Sequence, residues 1–268
     1  MAIIESDGRV IAYDTRGKGI PLVFIHQVAT DRRVWQHQRT SLSAQYLTLT
    51  LDILGHGAQG WPLDEISIGR AAVHVQRLLE QVVPGEAFLV GVSMGAAVAM
   101  RCALNAPSLV RGLILVSPWT RISEHSKSLI DRLFRLAEAG DMTAHTELFL
   151  RYVFPPTYLE RHVREVERLR AIVMAQDSKT VAYAWAACLA SGADGDLGEI
   201  RAPTLVIAGM HDLLTPPYLA REVAAGLVDV ELEIWNASGH FPFLEDALRF
   251  NRRLEVYLRR HSAPAISE

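Results

Sequence analysis

Ala87-Phe88-Leu89-Val90-Gly91-Val92-Ser93-Met94-Gly95-Ala96-Ala97-Val98-Ala99 strings together an apolar run, a G-x-S-x-G pentapeptide and a run of small residues. The apolar run reads as a buried strand and the small-residue run as the start of a helix. A serine at that junction belongs on a sharp strand-to-helix turn. Glycines two residues to either side permit the close approach of backbones that such a turn demands. The turn lifts the hydroxyl above the sheet edge and aims the positive end of the following helix at charge developing there. Ser93 is therefore the candidate nucleophile.

Working outward, Pro21 to His26 and Leu47 to Leu51 read as buried strands, the second ending at Asp52-Ile53-Leu54-Gly55-His56-Gly57. Asp7-Gly8 between two extended runs signals an antiparallel hairpin. Ile68, Ala72, Val75, Leu79 and Val82 repeat at helical spacing, so a helix covers the sheet between about Ile66 and Val82. The helix after Ser93 runs to Asn105 and is stopped by Pro107, and Gly112 to Val116 is the next strand. Continuous apolar strands alternating with helices indicate an α/β fold, a mostly parallel sheet with helices on both faces.

From Trp119 to about Gly198 only amphipathic helical patterns occur, in four stripes around Leu133, Phe149, Leu169 and Trp185, with Pro155-Pro156 breaking the second. This is the pattern of a helical cap inserted into a sheet domain. Strands return at Pro203 to Gly209 and Glu231 to Trp235, and a last amphipathic helix spans about Phe243 to Arg260. The expected organisation is a core of residues 1–118 and 199–260, a cap of residues 119–198, and a disordered tail of residues 261–268.

Bulk properties narrow the function classes. The 268 residues are half hydrophobic and carry a formal net charge of −3, which gives no electrostatic case for nucleic acid or an anionic membrane. No apolar run approaches the roughly 20 residues needed to cross a bilayer, and the start lacks a basic segment followed by an apolar one. Cys102 and Cys188 suggest no disulfide framework. A reducing cytoplasm is the expected home.

A serine hydroxyl needs an adjacent base, and that base needs an orienting acid. Asp212 follows one late strand in Gly209-Met210-His211-Asp212, and His240 follows the other in Ser238-Gly239-His240-Phe241-Pro242. Both stand at strand ends, where α/β sheets place their sites. The plain alternatives are a turn histidine and a loop acid capping the helix after Thr215-Pro216. The chain order Ser93, Asp212, His240 favours catalysis. His211 has no companion ligands at metal-binding spacing, so no metal is expected. His26 and His56 read as turn supports, and Cys102 as a core residue.

His26, Trp35, the Asp52–Gly57 turn, the elbow at Ser93, the Asp212 loop and the Ser238-Gly239-His240 loop together resemble the α/β-hydrolase superfamily over essentially the whole chain. The resemblance implies an eight-stranded sheet and a cofactor-free serine hydrolase. Ser93 would form an acyl-enzyme, His240 would act as base and then acid, and Asp212 would hold the imidazole tautomer. The Val28 and Met94 backbone N–H groups would form the oxyanion hole. The other acid position common in relatives is vacant, because Ser117-Pro118 follows the Ile114–Val116 strand. Gln27 departs from the glycine that most relatives carry after the histidine; its amide can reach the backbone or a substrate. The cap is similar to the enol-lactonase and aminoacrylate-hydrolase branches through Trp119-Thr120-Arg121 and Leu148 to Tyr152 before the proline pair. Trp119, Phe149, Trp185 and Phe241 join Gln27 as the candidate substrate-binding residues, although apolar stripes at helical spacing are usually core.

The expected reaction is cleavage of a small carboxylic ester, lactone or related acyl bond. The same triad also serves acyl transfer and carbon–carbon bond hydrolysis, and a ligand-binding receptor on a hydrolase scaffold is the rival from another class. The expected partner is a small molecule, with neither nucleic acid nor membrane. Oligomeric state is not legible.

Overall fold

The computed structural model describes residues 1–6, 8–53, 55–57, 61–191 and 195–262. The expectations for Asp7 in the hairpin turn, Leu54 in the turn after the fourth strand, and the tail beyond residue 262 lie outside those residues. The chain opens with β1 (Ala2–Ser6), β2 (Arg9–Arg16), β3 (Pro21–Ile25), α1 (Gln36–Leu42), β4 (Leu47–Leu51) and α2 (Ile68–Val82). It continues with β5 (Ala87–Val92), α3 (Met94–Asn105) and β6 (Val110–Val116). The helical stretch holds α4 (Glu124–Glu138), α5 (Met142–Val153), α6 (Pro156–Arg161), α7 (Val163–Met174) and α8 (Ser178–Ala190). Then come β7 (Thr204–Gly209), α9 (Pro217–Gly226), β8 (Val230–Trp235), α10 (Pro242–Glu245) and α11 (Ala247–His261).

The strands form one eight-stranded sheet in the order β1-β2-β4-β3-β5-β6-β7-β8. The β1–β2 and β2–β4 pairs are antiparallel, and every pair from β4 to β8 is parallel. Strands β3, β5 and β7 are buried along their full length, which is why they read as unbroken apolar runs. Edge strand β8 alternates acids with apolar residues, and Glu231 and Glu233 are paired with Arg253 of α11. Charges there guard an edge that would otherwise invite further pairing.

Two expected boundaries shift. The third apolar stripe is divided between α6 and α7 at His162, because Pro156 starts a separate short helix at its N1 position. The last helix is interrupted at Asp246, whose Oδ1 accepts from the Arg249 N–H at 3.1 Å and caps α11; α11 itself continues to His261.

Helix α3 lies directly on the end of β3. A Cβ on Gly95 would stand 2.3 Å from the Ile25 carbonyl oxygen and 2.6 Å from that of His26. A Cβ on Gly91 would stand 2.2 Å from the Gly95 carbonyl oxygen. The two glycines of the pentapeptide are thus both demanded by backbone-to-backbone contact. Gly95→Ala must push α3 off β3, and overpacking of this kind costs about 1–3 kcal/mol. At roughly 2–4 °C per kcal/mol for a chain of this size, thermal unfolding should fall by several degrees. An unchanged melting temperature would show that α3 moves freely over β3.

Candidate active site

Ser93 sits between β5 and α3 with φ 53° and ψ −115°. Its N–H donates to the Val116 carbonyl at 2.9 Å, and its own carbonyl accepts from Ala96 and Ala97. Among the described residues, the non-glycine residues with positive φ are Ala29, Ser93 and Ser117. They follow β3, β5 and β6, so the unusual backbone is gathered at the C-terminal edge of three neighbouring strands. Such conformations cost of order 1–3 kcal/mol each and cluster where function needs them.

Asp212 and His240 are brought together from the ends of β7 and β8. His240 Nδ1 lies 2.7 Å from Asp212 Oδ2, and both side chains are fully buried. An ionised carboxylate only accepts, so Nδ1 carries the proton and Nε2 presents its lone pair. Nε2 is buried and makes no hydrogen bond, so no bond joins it to the Ser93 hydroxyl. Catalytic bonds are often long in a ligand-free enzyme. Asp212 Oδ1 accepts from the Leu214 and Thr215 N–H groups, both at 2.9 Å. One carboxylate oxygen thus holds the turn before α9 while the other meets the histidine; α9 itself has Pro216 at its N-cap and no side-chain cap, so Asp212 does not cap it.

The backbone of His240 is held from several sides. Its N–H donates to the Val153 carbonyl of α5 at 2.8 Å, and its carbonyl accepts from Ser117 Oγ at 3.0 Å. Glu245 accepts from the N–H groups on either side, Gly239 at 2.8 Å and Phe241 at 3.0 Å. Thr215 Oγ1 lies 2.8 Å from Asp212 Oδ2 and 3.1 Å from the Ser117 carbonyl. Ser117, Thr215 and Glu245 escaped the sequence reading. Thr215 registered only as the start of a helix and Glu245 only as one polar position within an amphipathic pattern.

The loop after β3 carries Gln27 and Val28. His26 Nδ1 donates to the Gln27 carbonyl at 2.8 Å, and its Nε2 accepts from the Ile53 N–H at 3.0 Å. His56 Nε2 accepts from the Ala29 N–H at 3.1 Å. Burial holds the His26 ring down at a pKa of about 4, so it stays neutral and keeps that acceptor. Arg32 pairs with both Asp14 and Asp52, and its N–H donates to Asp52 at 2.8 Å. Both histidines thus support turns. Neither Val28 nor Met94 donates its N–H to a protein acceptor among the described residues.

The other candidates divide. Phe149 stands 6.1 Å from Phe241 and 6.2 Å from Trp185, and Phe241 stands 5.2 Å from His240. An aromatic chain therefore runs from α8 through α5 to the histidine loop. Trp185 Nε1 donates to His145 Nε2 at 3.0 Å, which places the proton of that buried ring on Nδ1. Trp119 is buried and lines a cavity of about 40 Å³ with Ala97, Met100 and Leu104. None of Ser93, Asp212 and His240 lines that cavity. Cys102 and Cys188 are buried free thiols, and burial pushes both up, Cys188 to about 12. Among the described residues, no group of three or more His, Cys, Asp and Glu is placed to hold a metal ion. No helix among them is long and apolar enough to cross a membrane.

The model of the alpha/beta hydrolase family matches residues 22–253, and the chain belongs to that family. A protein of Variovorax paradoxus named as a carbamate hydrolase, RutD, is 31% identical, with 87% of this chain and 89% of that protein covered. The 3-oxoadipate enol-lactonase 2 of Acinetobacter baylyi is 27% identical over 89% of this chain and 88% of its own length. Among solved structures, a hydrolase from Pseudomonas aeruginosa superposes with a TM-score of 0.88 at 28% identity, covering 96% and 97% of the two chains. The enol-lactonase of Burkholderia xenovorans reaches a TM-score of 0.90 at 24% identity, covering 96% and 100%, and shares the fold.

Glu245 yields a prediction from its environment. Burial outweighs the two N–H groups it accepts from, Gly239 and Phe241, and the nearby Asp212 charge adds to the effect, so its carboxyl is raised from 4.5 to about 8. A raised carboxyl binds its proton more tightly in the folded state, so its contribution is complete below about pH 4.5 and is lost as pH rises through about 8. Glu245→Gln, which cannot ionise, should flatten the decline of stability between those limits. Urea denaturation of both proteins at pH 5.5 and 8.5 measures it. Parallel pH dependences would place the carboxyl outside this titration.

Proposed function

We propose that the protein is a cofactor-free serine hydrolase that cleaves a small carboxylic ester, lactone or related acyl bond through an acyl-enzyme. The observation that carries this reading is the buried Asp212–His240 pair, its Nε2 without a partner among the described residues, on loops that leave the same sheet edge as the strained Ser93 elbow. The names of the relatives support it, since enol-lactones and carbamates are both cleaved at an acyl carbon.

In this mechanism Ser93 Oγ attacks the acyl carbon as its proton passes to His240 Nε2. Asp212 keeps Nδ1 protonated and stabilises the imidazolium. The Val28 and Met94 N–H groups, the second at the positive end of α3, receive the negative charge that forms on the acyl oxygen. Collapse breaks the bond to the leaving group, which takes the proton from Nε2. Water then gives a proton to Nε2 and attacks the acyl-enzyme, and release of the acid returns that proton to Ser93. The inserted helices act as a cap: Val153 and Phe149 of α5 touch the histidine loop, and Gln176, after α7, donates to Asp31 at 2.9 Å and accepts from Gly57 at 2.9 Å.

Ser93→Ala should lose about 10³-fold or more in turnover of short-chain esters and lactones while melting like the wild type. It should also fail to label with a fluorophosphonate probe. Near-normal hydrolysis by that variant would defeat the assignment. Asp212→Asn should lose roughly four decades of kcat if Asp212 sets the tautomer; a loss below about tenfold would point to another acid.

A further inference from the structure

Among the described buried glutamines, Gln176 and Gln38 bond to the protein through their amides, Gln38 through its Nε2 only, and Gln27 through neither amide atom. Gln176 spends its amide on Asp31, the Ile172 carbonyl and the Gly57 N–H. Gln38 donates to the Phe243 carbonyl at 2.8 Å. Gln27 is 1% exposed, and neither its Nε2 nor its Oε1 has a hydrogen-bond partner among the described residues. Its backbone, by contrast, is tightly held, because its carbonyl accepts from His26 Nδ1 at 2.8 Å and Thr30 Oγ1 at 3.2 Å. The residue before it rests on the first turn of α3, where Gly95 meets the His26 carbonyl, and the residue after it supplies the proposed Val28 donor.

A buried amide that the protein leaves unused, on a residue whose backbone is fixed next to the turn against α3, is costly unless a ligand or solvent uses it. The two atoms define what that ligand offers. Nε2 asks for an acceptor and Oε1 asks for a donor, side by side in one plane. A substrate carboxylate would satisfy Nε2 and set its lone pairs against Oε1, and an ammonium would do the reverse. A hydrocarbon chain would leave both bonds unmade. Resting on the acyl-hydrolase reading above, we infer that Gln27 is a specificity-determining residue that pairs with an uncharged carboxamide-type group on the substrate. Sites built to hydrogen-bond a substrate group reject analogues that lack it far more strongly than apolar pockets reject an altered hydrocarbon.

Matched phenyl esters test this. Phenyl 4-carbamoylbutanoate is compared with phenyl 5-methylhexanoate, in which an isopropyl group replaces the carboxamide, and so are the pair one methylene shorter. The wild type should favour the carboxamide ester in kcat/KM by at least about tenfold at one of the two lengths. Gln27→Leu should lower that ratio by at least about tenfold. Inhibition of the wild type by butyramide, pentan-2-one and butyrate decides the matter should the variant fail to fold, with butyramide at least about tenfold the tightest. A ratio that is equal in both proteins, or butyramide no tighter than the ketone, overturns the inference and leaves solvent as the partner of the amide. If those esters are hydrolysed and labelling requires Ser93, the hydrolase reading survives that outcome. If neither holds, both fall together.

Discussion

The contact on which this molecule depends is backbone against backbone, where the first turn of α3 rests on the last carbonyls of β3. Gly95 permits it, and Gly91 permits the chain to double back into that helix after β5. No side-chain packing could replace this approach, because any Cβ there would stand well inside contact distance. It brings the Met94 N–H, the Ser93 hydroxyl and the loop of Gln27 and Val28 into one place. The Asp212 and His240 loops then need only rise from the ends of β7 and β8, along the same edge.

Rigidity around that edge is supplied by polar groups rather than by the apolar core. His26 and His56 each take an N–H from across the gap between the β3 loop and the turn after β4. His240 is fixed through its own backbone and through its neighbours, by Val153, Ser117 and Glu245. The Val153 bond matters most for the relation between the two parts of the molecule. It ties the proposed general base to the inserted helices, so a movement of α5 would reach His240 through one carbonyl. A Cβ on Gly239 would lie 2.5 Å from that same carbonyl oxygen, which explains the glycine before the histidine.

Several unfavourable features fall at the site, although among the described residues buried polar atoms without partners also occur elsewhere, as at Asn251 and Tyr257. Three non-glycine residues with positive φ stand at its rim, and His240 Nε2 and the Gln27 amide are buried without partners. Each unmade bond of a buried polar group costs about 1–3 kcal/mol, and the large apolar interior around β3, β5 and β7 supplies the stability that sustains them. The positive-φ residues are the part of this cost that is confined to the site's edge among the described residues, and strained backbone of this kind clusters at functional sites.

Much of this was legible in one dimension. The parallel sheet, the strand-turn-helix at Ser93, the helical insertion and the order of serine, acid and histidine all follow from local apolar patterning and short motifs, whose physics acts within a few residues. The alternatives for Asp212 could not be separated that way, because one carboxylate serves both the Thr215 turn and a histidine 28 residues away. Trp119, a candidate substrate-binding residue by sequence, lines with α3 residues a cavity that none of Ser93, Asp212 and His240 lines, a placement that depends on how the helices pack. Thr215 and Glu245 carried no sequence signal, and Gln27 stood out only as a departure from glycine; that its amide has no partner among the described residues is defined by what surrounds it. Motifs determined which residues stand at the sheet edge. Only the tertiary structure decided which of their polar atoms are spent on the protein and which remain for a ligand, because that depends on partners distant in the chain.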